Sequence, residues 1–291
     1  MTEPGRRVLP VALTVAGADA SGGAGVVADC ATFRAAGVWP AVAVTAVTAQ
    51  NTLGVQATEP VSPELVRAQI ASVAADLGVA AAKTGMLATA ATVVRVATTV
   101  IELGIGPLVV DPVLVATSGA RLLEPGALEV LRSELLPLAA VATPNLAEAE
   151  ALTGVTVTDR QGMVDAAAAL AALGPRAVLV TGGHLGEAEP DRSPDLFLLD
   201  GQATWLEGAR VRGVGTHGSG CVLSAAVCAA LARGEDLLAA CRWAKGFVAR
   251  AITRGAAGAP GVRGAVDPGC EPTPPGGPDG FASRTWPEGG D

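Results

Sequence analysis

The chain has 291 residues, half of them apolar, and a net charge of −8, which is enough for one large domain or two small ones. Acidic and basic residues are scattered with no Lys/Arg cluster, which argues against nucleic acid or an anionic membrane as partner, and no apolar run reaches the roughly 18 residues of a membrane span. The cysteines (30, 221, 228, 241, 270) are odd in number and lack C-x-x-C spacing, so neither a disulfide framework nor a zinc site is expected, and a reducing cytoplasm is the expected compartment.

Lys83 and Lys245 are the only lysines among many arginines, so each is worth examining for a role. Val11–Ala16 reads as a buried strand, ending in a glycine-rich acidic turn over 17–25 instead of a signal-peptide cleavage site. A helix follows over about 26–36, closed by Gly37. Strand, glycine-rich turn and helix open a βα unit. The glycine spacing does not match a dinucleotide fingerprint, and no acidic residue closes the following strand.

Val42–Val47 reads as a second strand, delivering the amides of Gln50 and Asn51 to its carboxyl end. Pro63–Leu77 has helical spacing with Ser62 as N-cap, and Val79–Lys83 is a third strand leading to Thr84-Gly-Met86. For Lys83 a plain surface position is an open alternative, and for Met86 a core position. Thr89–Leu103 is an amphipathic helix capped by Gly104. Leu108–Val110 is a strand that delivers Asp111, followed by proline, a place suited to a metal-holding or proton-accepting carboxylate.

Leu138–Ala142 is a short strand before Thr143-Pro-Asn-Leu-Ala-Glu148. Asn145 and Glu148, three apart at a helix start, face the same way and suit either a hydrated Mg²⁺ or an ordinary capping box. A helix over Thr158–Leu173, a strand over Ala177–Val180 leading to Thr181, and a hairpin of Leu196–Leu199 and Ala203–Leu206 about Asp200-Gly201 complete this part.

Gly213-Val-Gly-Thr-His-Gly-Ser-Gly-Cys221 then runs into an Ala/Leu/Val helix. Its glycines allow tight turns, and the free N–H groups of a helix start favour an anion. Cys221 at that terminus is expected to tend toward the thiolate. A last helix covers Asp236–Arg254, and the tail from 269 is rich enough in Pro and Gly to be expected disordered. Alternating strands and helices predict a mostly parallel sheet covered on both faces.

Ala16-Gly-Ala-Asp-Ala-Ser-Gly-Gly-Ala-Gly25, Ala49-Gln-Asn-Thr52, Lys83-Thr-Gly-Met-Leu87, Val110-Asp-Pro-Val113, Thr143-Pro-Asn-Leu-Ala-Glu148, Gly182-Gly-His-Leu185 and Thr216-His-Gly-Ser-Gly-Cys221 occur in the order and approximate spacing of the phosphomethylpyrimidine kinases. The chain resembles that family of the ribokinase-like superfamily over roughly residues 11–268. The resemblance implies a three-layer α/β/α sandwich with a mostly parallel central sheet, a kinase domain over 8–268, and a homodimer. It also implies ATP-dependent phosphorylation of 4-amino-5-hydroxymethyl-2-methylpyrimidine and then of its monophosphate in thiamine biosynthesis, with Mg²⁺.

Carried over by the resemblance, Gln50 reads the pyrimidine. Gly17, Ala24 and Met86 line the same pocket, with Asp29 just behind it. Asp111 and Glu148 are the metal elements, and Asn145, Thr181, Thr216 and Gly218 belong to the nucleotide side. Gly218, Gly220 and Cys221 form the anion hole, and the Cys221 thiolate takes or orients the hydroxymethyl proton. Positive or amide groups usual in the family are absent at Thr117, Thr181 and Val214, for which Arg121 and Arg212 are candidate substitutes. A pyridoxal or pyridoxine kinase and a catalytically weak pyrimidine sensor are the rival readings.

Overall fold

The computed structural model describes residues 9–116, 118–186, 189–211, 215–258, 261 and 264–269. A single nine-stranded sheet runs through them in the order β3-β2-β1-β4-β5-β6-β7-β8-β9. Its strands are β1 (Val11–Asp19), β2 (Trp39–Asn51), β3 (Gly54–Pro60), β4 (Ala81–Thr84), β5 (Leu108–Val110), β6 (Val141–Ala142), β7 (Ala177–Thr181), β8 (Asp195–Leu199) and β9 (Gln202–Leu206). From β2 through β7 every neighbour is parallel, while β3, β8 and β9 extend the two sides antiparallel.

The helices are α1 (Gly25–Ala35), α2 (Pro63–Asp76), α3 (Ala90–Glu102), α4 (Ala127–Val130), α5 (Leu146–Thr153), α6 (Arg160–Ala171), α7 (Ser219–Ala232) and α8 (Leu237–Gly258). Successive side chains of a strand point to opposite faces, and the core divides accordingly. Leu13, Val15, Ala82 and Val110 pack under α2, α3, α5 and α6. Ala12, Ala81, Val109 and Val141 pack under α1, α7 and α8. This is the expected three-layer α/β/α sandwich with strands that read as continuous apolar runs because both faces are covered.

The local signals explain the element ends. Ser62 accepts the Leu65 N–H at the start of α2. Asp200 and Gly201, both at positive φ, make the tight turn between β8 and β9. The structure departs from the sequence reading at β3, where no strand was expected. Residues 54–60 are mostly exposed and carry no apolar alternation, so pairing with β2 alone makes the strand. The hairpin leaves Val47 and Leu53 each 54 % exposed. Of the tail beginning at 269, only Gly269 lies among the described residues, and Thr117, Arg212 and Val214 lie outside them as well.

Candidate active site

The parallel strands end along one edge, and Thr84, Asp111 and Thr143 stand side by side there. The Asp111 N–H donates to the Thr84 carbonyl at 3.1 Å and the Thr143 N–H to that of Val110 at 2.9 Å. Behind this edge lies an ion cluster. Lys83 and Asp29 are both 0 % exposed, with the Lys83 Nζ 3.1 Å from Asp29 Oδ2 and 3.8 Å from Asp111 Oδ2. Thr14 donates to Asp29 at 2.6 Å and Ser224 of α7 to Asp111 at 2.8 Å. Burial alone pushes the Lys83 ammonium down. The charges of Asp29 and Asp111 outweigh it, so the net shift is upward and Lys83 stays protonated. Lys83 is therefore buried and paired, not a surface lysine.

Gly17 and Met86 lie against each other: a Cβ on Gly17 would sit 3.0 Å from the Met86 sulfur. The Thr45 hydroxyl fixes the Met86 main chain by donating to its carbonyl at 2.6 Å. The β1–β2 register shifts across Gly17 and the β2–β3 register shifts between Ala49 and Gln50. Irregularities of this kind re-aim side chains and recur beside active sites. The Gln50 amide oxygen accepts from Thr48 at 3.1 Å, whose hydroxyl also lies 3.0 Å from the Ala18 carbonyl, which ties Gln50 to the turn after β1. Ala24 is the half-buried N-cap of α1. Asp29 lies behind this wall in its ion pair.

Thr216 to Cys221 form the entry to α7 on the anion side. Gly218 sits at φ 83°, and a Cβ there would overlap the Gly23 carbonyl, so only glycine fits. The Ser219 N–H bonds Thr216 O, and the first ladder bond joins the Val222 N–H to Gly218 O. The Gly220 and Cys221 amides fall in the first turn, where a helix offers no acceptor. The Cys221 thiol takes a main-chain hydrogen bond from Gly25, but burial pushes it up to about 12, with Lys83 only partly opposing. The resting form is the thiol. The expected thiolate tendency fails because desolvation outweighs the helix terminus.

Asn145 and Glu148 form the capping box, with the Asn145 N–H to Glu148 Oε2 at 2.9 Å and the Glu148 N–H to Asn145 Oδ1 at 3.0 Å. Burial, and then the neighbouring Asp111 charge, push the Glu148 carboxyl up to about 8. Thr181 joins this group through its N–H to the Pro144 carbonyl at 3.0 Å. Among the described residues no three His, Cys, Asp or Glu side chains converge as a metal cluster. The buried hydroxyls of Thr84 and Thr143, flanking Asp111, have no hydrogen-bond partner among the described residues. Two carboxylates and two unused hydroxyls suit a cation that keeps its waters and is held largely through phosphates, as Mg²⁺ is.

The sequence reading gave no role to Asp19, His217, Ser224 or Thr14, and left Lys83 open. A lysine at the end of a strand buried on both faces is itself a signal, since such a charge persists only beside an acid. Lys245, on helix α8, is also paired: its Nζ bonds Asp195 at 2.7 Å while Asp195 accepts the Gly182 N–H. Of the candidate arginines, Arg121 is exposed on the turn after Asp111. Arg210 instead donates to the Gly183 carbonyl at 2.7 Å and to that of Glu189 at 3.2 Å.

A three-layer sandwich whose parallel strands bring Thr84, Asp111 and Thr143 to one edge beside the glycine-rich entry to α7 is the architecture of a ribokinase-like phosphotransferase. Residues 19–265 match the profile described as phosphomethylpyrimidine kinase. The chain belongs to that family. It is 47% identical over 260 residues to the hydroxymethylpyrimidine/phosphomethylpyrimidine kinase of Streptomyces coelicolor, covering 88% of this chain and 93% of that protein. Among solved structures it is similar to the phosphomethylpyrimidine kinase of Clostridium difficile (TM-score 0.73, 35% identity, 83% of this chain and 99% of that one). It is also similar to the Staphylococcus aureus pyridoxal kinase in complex with AMP-PCP and pyridoxal (TM-score 0.82, 33% identity, 91% and 95% covered).

The thiol assignment has a direct chemical check. At pH 8, iodoacetamide should alkylate Cys221 at least about tenfold more slowly than an unstructured cysteinyl peptide, because the thiolate fraction is so much smaller. The rate should climb steadily to pH 10 as the thiolate fraction grows. Peptide-resolved mass spectrometry reads it, and fast labelling that is already level by pH 8 would mean a resting thiolate.

Proposed function

We propose that the chain transfers the γ-phosphoryl group of ATP to the hydroxymethyl oxygen of 4-amino-5-hydroxymethyl-2-methylpyrimidine, and then to the resulting monophosphate, in thiamine biosynthesis. The observation that carries this reading is the 47% identity, along 93% of its length, to a relative named for both steps. The pyridoxal alternative has the similar S. aureus fold behind it, but at 33% identity.

Gln50 reads the ring in this account, since an amide offers a donor and an acceptor to a heterocycle that offers both. Gly17, Ala24 and Met86 form the wall about it, and Asp29 stiffens that wall from behind. The amides of Gly218, Gly220 and Cys221 take the oxygens of the transferred group, beside Asn145, Thr181 and Thr216. Asp111 and Glu148 are the residues that would hold Mg²⁺, with Thr84 and Thr143 bonding its waters. When bound, Mg²⁺ neutralises charge on the phosphates. Because Cys221 rests protonated, its thiol orients the substrate hydroxyl first. As bond formation to phosphorus acidifies that hydroxyl, its proton leaves to an oxygen of the transferred phosphoryl group, since a neutral thiol cannot take a second proton. Arg210 brings a guanidinium to the rim at Thr181, where the family's usual cation is absent.

The reading also takes residues 8–268 as the kinase unit, a homodimer covering the exposed β2–β3 hairpin, and a cytoplasmic location. Among the described residues no helix is long and apolar enough to cross a membrane.

The deciding assay supplies ATP and Mg²⁺ with the hydroxymethylpyrimidine, its monophosphate and pyridoxal in parallel, following products by mass. Diphosphate from the first two substrates is expected. Product from pyridoxal alone, or saturable pyrimidine binding without product, would replace the reading with a pyridoxal kinase or a sensor. In the same assay Gln50→Leu should raise the pyrimidine KM by about tenfold or more with the ATP KM nearly unchanged, as expected for a lost buried polar contact. Equal losses for both ligands would remove Gln50 from ring recognition.

A further inference from the structure

The end of β1 with the turn that follows it (17–25) and the entry to α7 (215–221) are far apart in sequence, yet they interlock. His217 Nε2 lies 3.0 Å from Asp19 Oδ2, across 198 positions of sequence, and both side chains are about nine-tenths buried or more. Asp19 is aimed by Ser21, whose N–H and hydroxyl each reach Asp19 Oδ1 at 2.8 Å. Burial opposes the charged form of Asp19, but the His217 and Ser21 hydrogen bonds outweigh it and hold the carboxyl below its usual value. An ionised carboxylate only accepts, so His217 Nε2 carries the hydrogen.

His217 is fixed in turn, because its carbonyl accepts the Val266 N–H at 3.1 Å. The imidazole closes over Gly23, where a Cβ would lie 2.7 Å from His217 Cδ2, and the Gly23 carbonyl fills the space that a Gly218 side chain would need. The bond therefore sits at the seam between the turn that walls the pyrimidine and the turn that presents the Gly218–Cys221 amides.

We propose that Asp19 and His217 are a positioning pair that sets the spacing between the phosphoryl acceptor and the amide cradle. The proposal rests on the kinase reading for its effect on turnover, and on the two turns alone for its structural content. Phosphoryl transfer depends on placement, and small displacements of the reacting groups lower the rate steeply. A pair that only stabilised the fold would lower the melting temperature and leave the kcat of the folded fraction intact.

The test compares His217→Ala with His217→Gln, whose side-chain NH₂ reaches the place of the imidazole Nε2. For folded His217→Ala, kcat should fall by about 30-fold or more while the KM for pyrimidine and for ATP moves less than about threefold. His217→Gln should recover most of that loss. Amide hydrogen exchange over 17–25 and 215–221 should accelerate together in His217→Ala and return toward wild type in His217→Gln, with α2 unchanged in both. The exchange readout holds whether or not the pyrimidine is the substrate, so it separates failure of the pair from failure of the kinase reading. Unchanged exchange in either turn, or a kcat within threefold of wild type, overturns the pair. If His217→Ala does not fold, Asp19→Ala, which removes the acceptor of the same bond, replaces it, and unchanged exchange and kcat in that variant overturn the pair equally.

Discussion

A single buried ammonium organises the strand edge. Lys83 stands on the central strand β4 with no access to water, and it persists there because α1 brings Asp29 to one side and β5 brings Asp111 to the other. Ser224 ties the same Asp111 to α7. Two helices and two strands are thereby held at one point by charge, in a chain whose core is otherwise mostly apolar, with alanine, valine and leucine its commonest members. Buried ion pairs add little net stability over an apolar packing, but they tolerate few arrangements, and loss of one partner is costly. The cluster therefore acts chiefly to fix geometry.

That geometry is passed to backbone more than to side chains. The entry to α7 presents main-chain amides, and its turn is close enough to the β1 turn that Gly218 has no space for a Cβ against the Gly23 carbonyl. A site built this way needs few charged groups of its own. Arg210 is held to the Gly183 carbonyl from a segment that sequence spacing does not single out.

Sequence patterns made the layers and most elements legible because they are local. Ser62 caps α2, Asp200-Gly201 turns the last hairpin, and apolar runs mark β1, β5 and β7. The strand β3 was not legible, since its partner supplies the whole reason for its being a strand. At the site, the motif residues 17, 86, 111, 145, 148, 181 and 216–221 could be named but not joined. The Asp19–His217 bond and the Lys83 cluster depend on distances that no local pattern contains. The Cys221 thiolate expectation failed for a related reason: a helix start is visible in sequence, whereas the burial that overrides it is not.

The most direct test of this account is the unfolding free energy of Lys83→Met, measured by urea titration beside Lys83→Met/Asp29→Asn. With the ammonium replaced by an apolar side chain of similar length, two buried carboxylates lose their counter-charge, and a loss of about 3–5 kcal/mol is expected. Neutralising Asp29 in the same protein should restore part of it. A Lys83→Met protein as stable as the wild type, with no gain on neutralising Asp29, would contradict the claim that this ammonium holds the strand edge together.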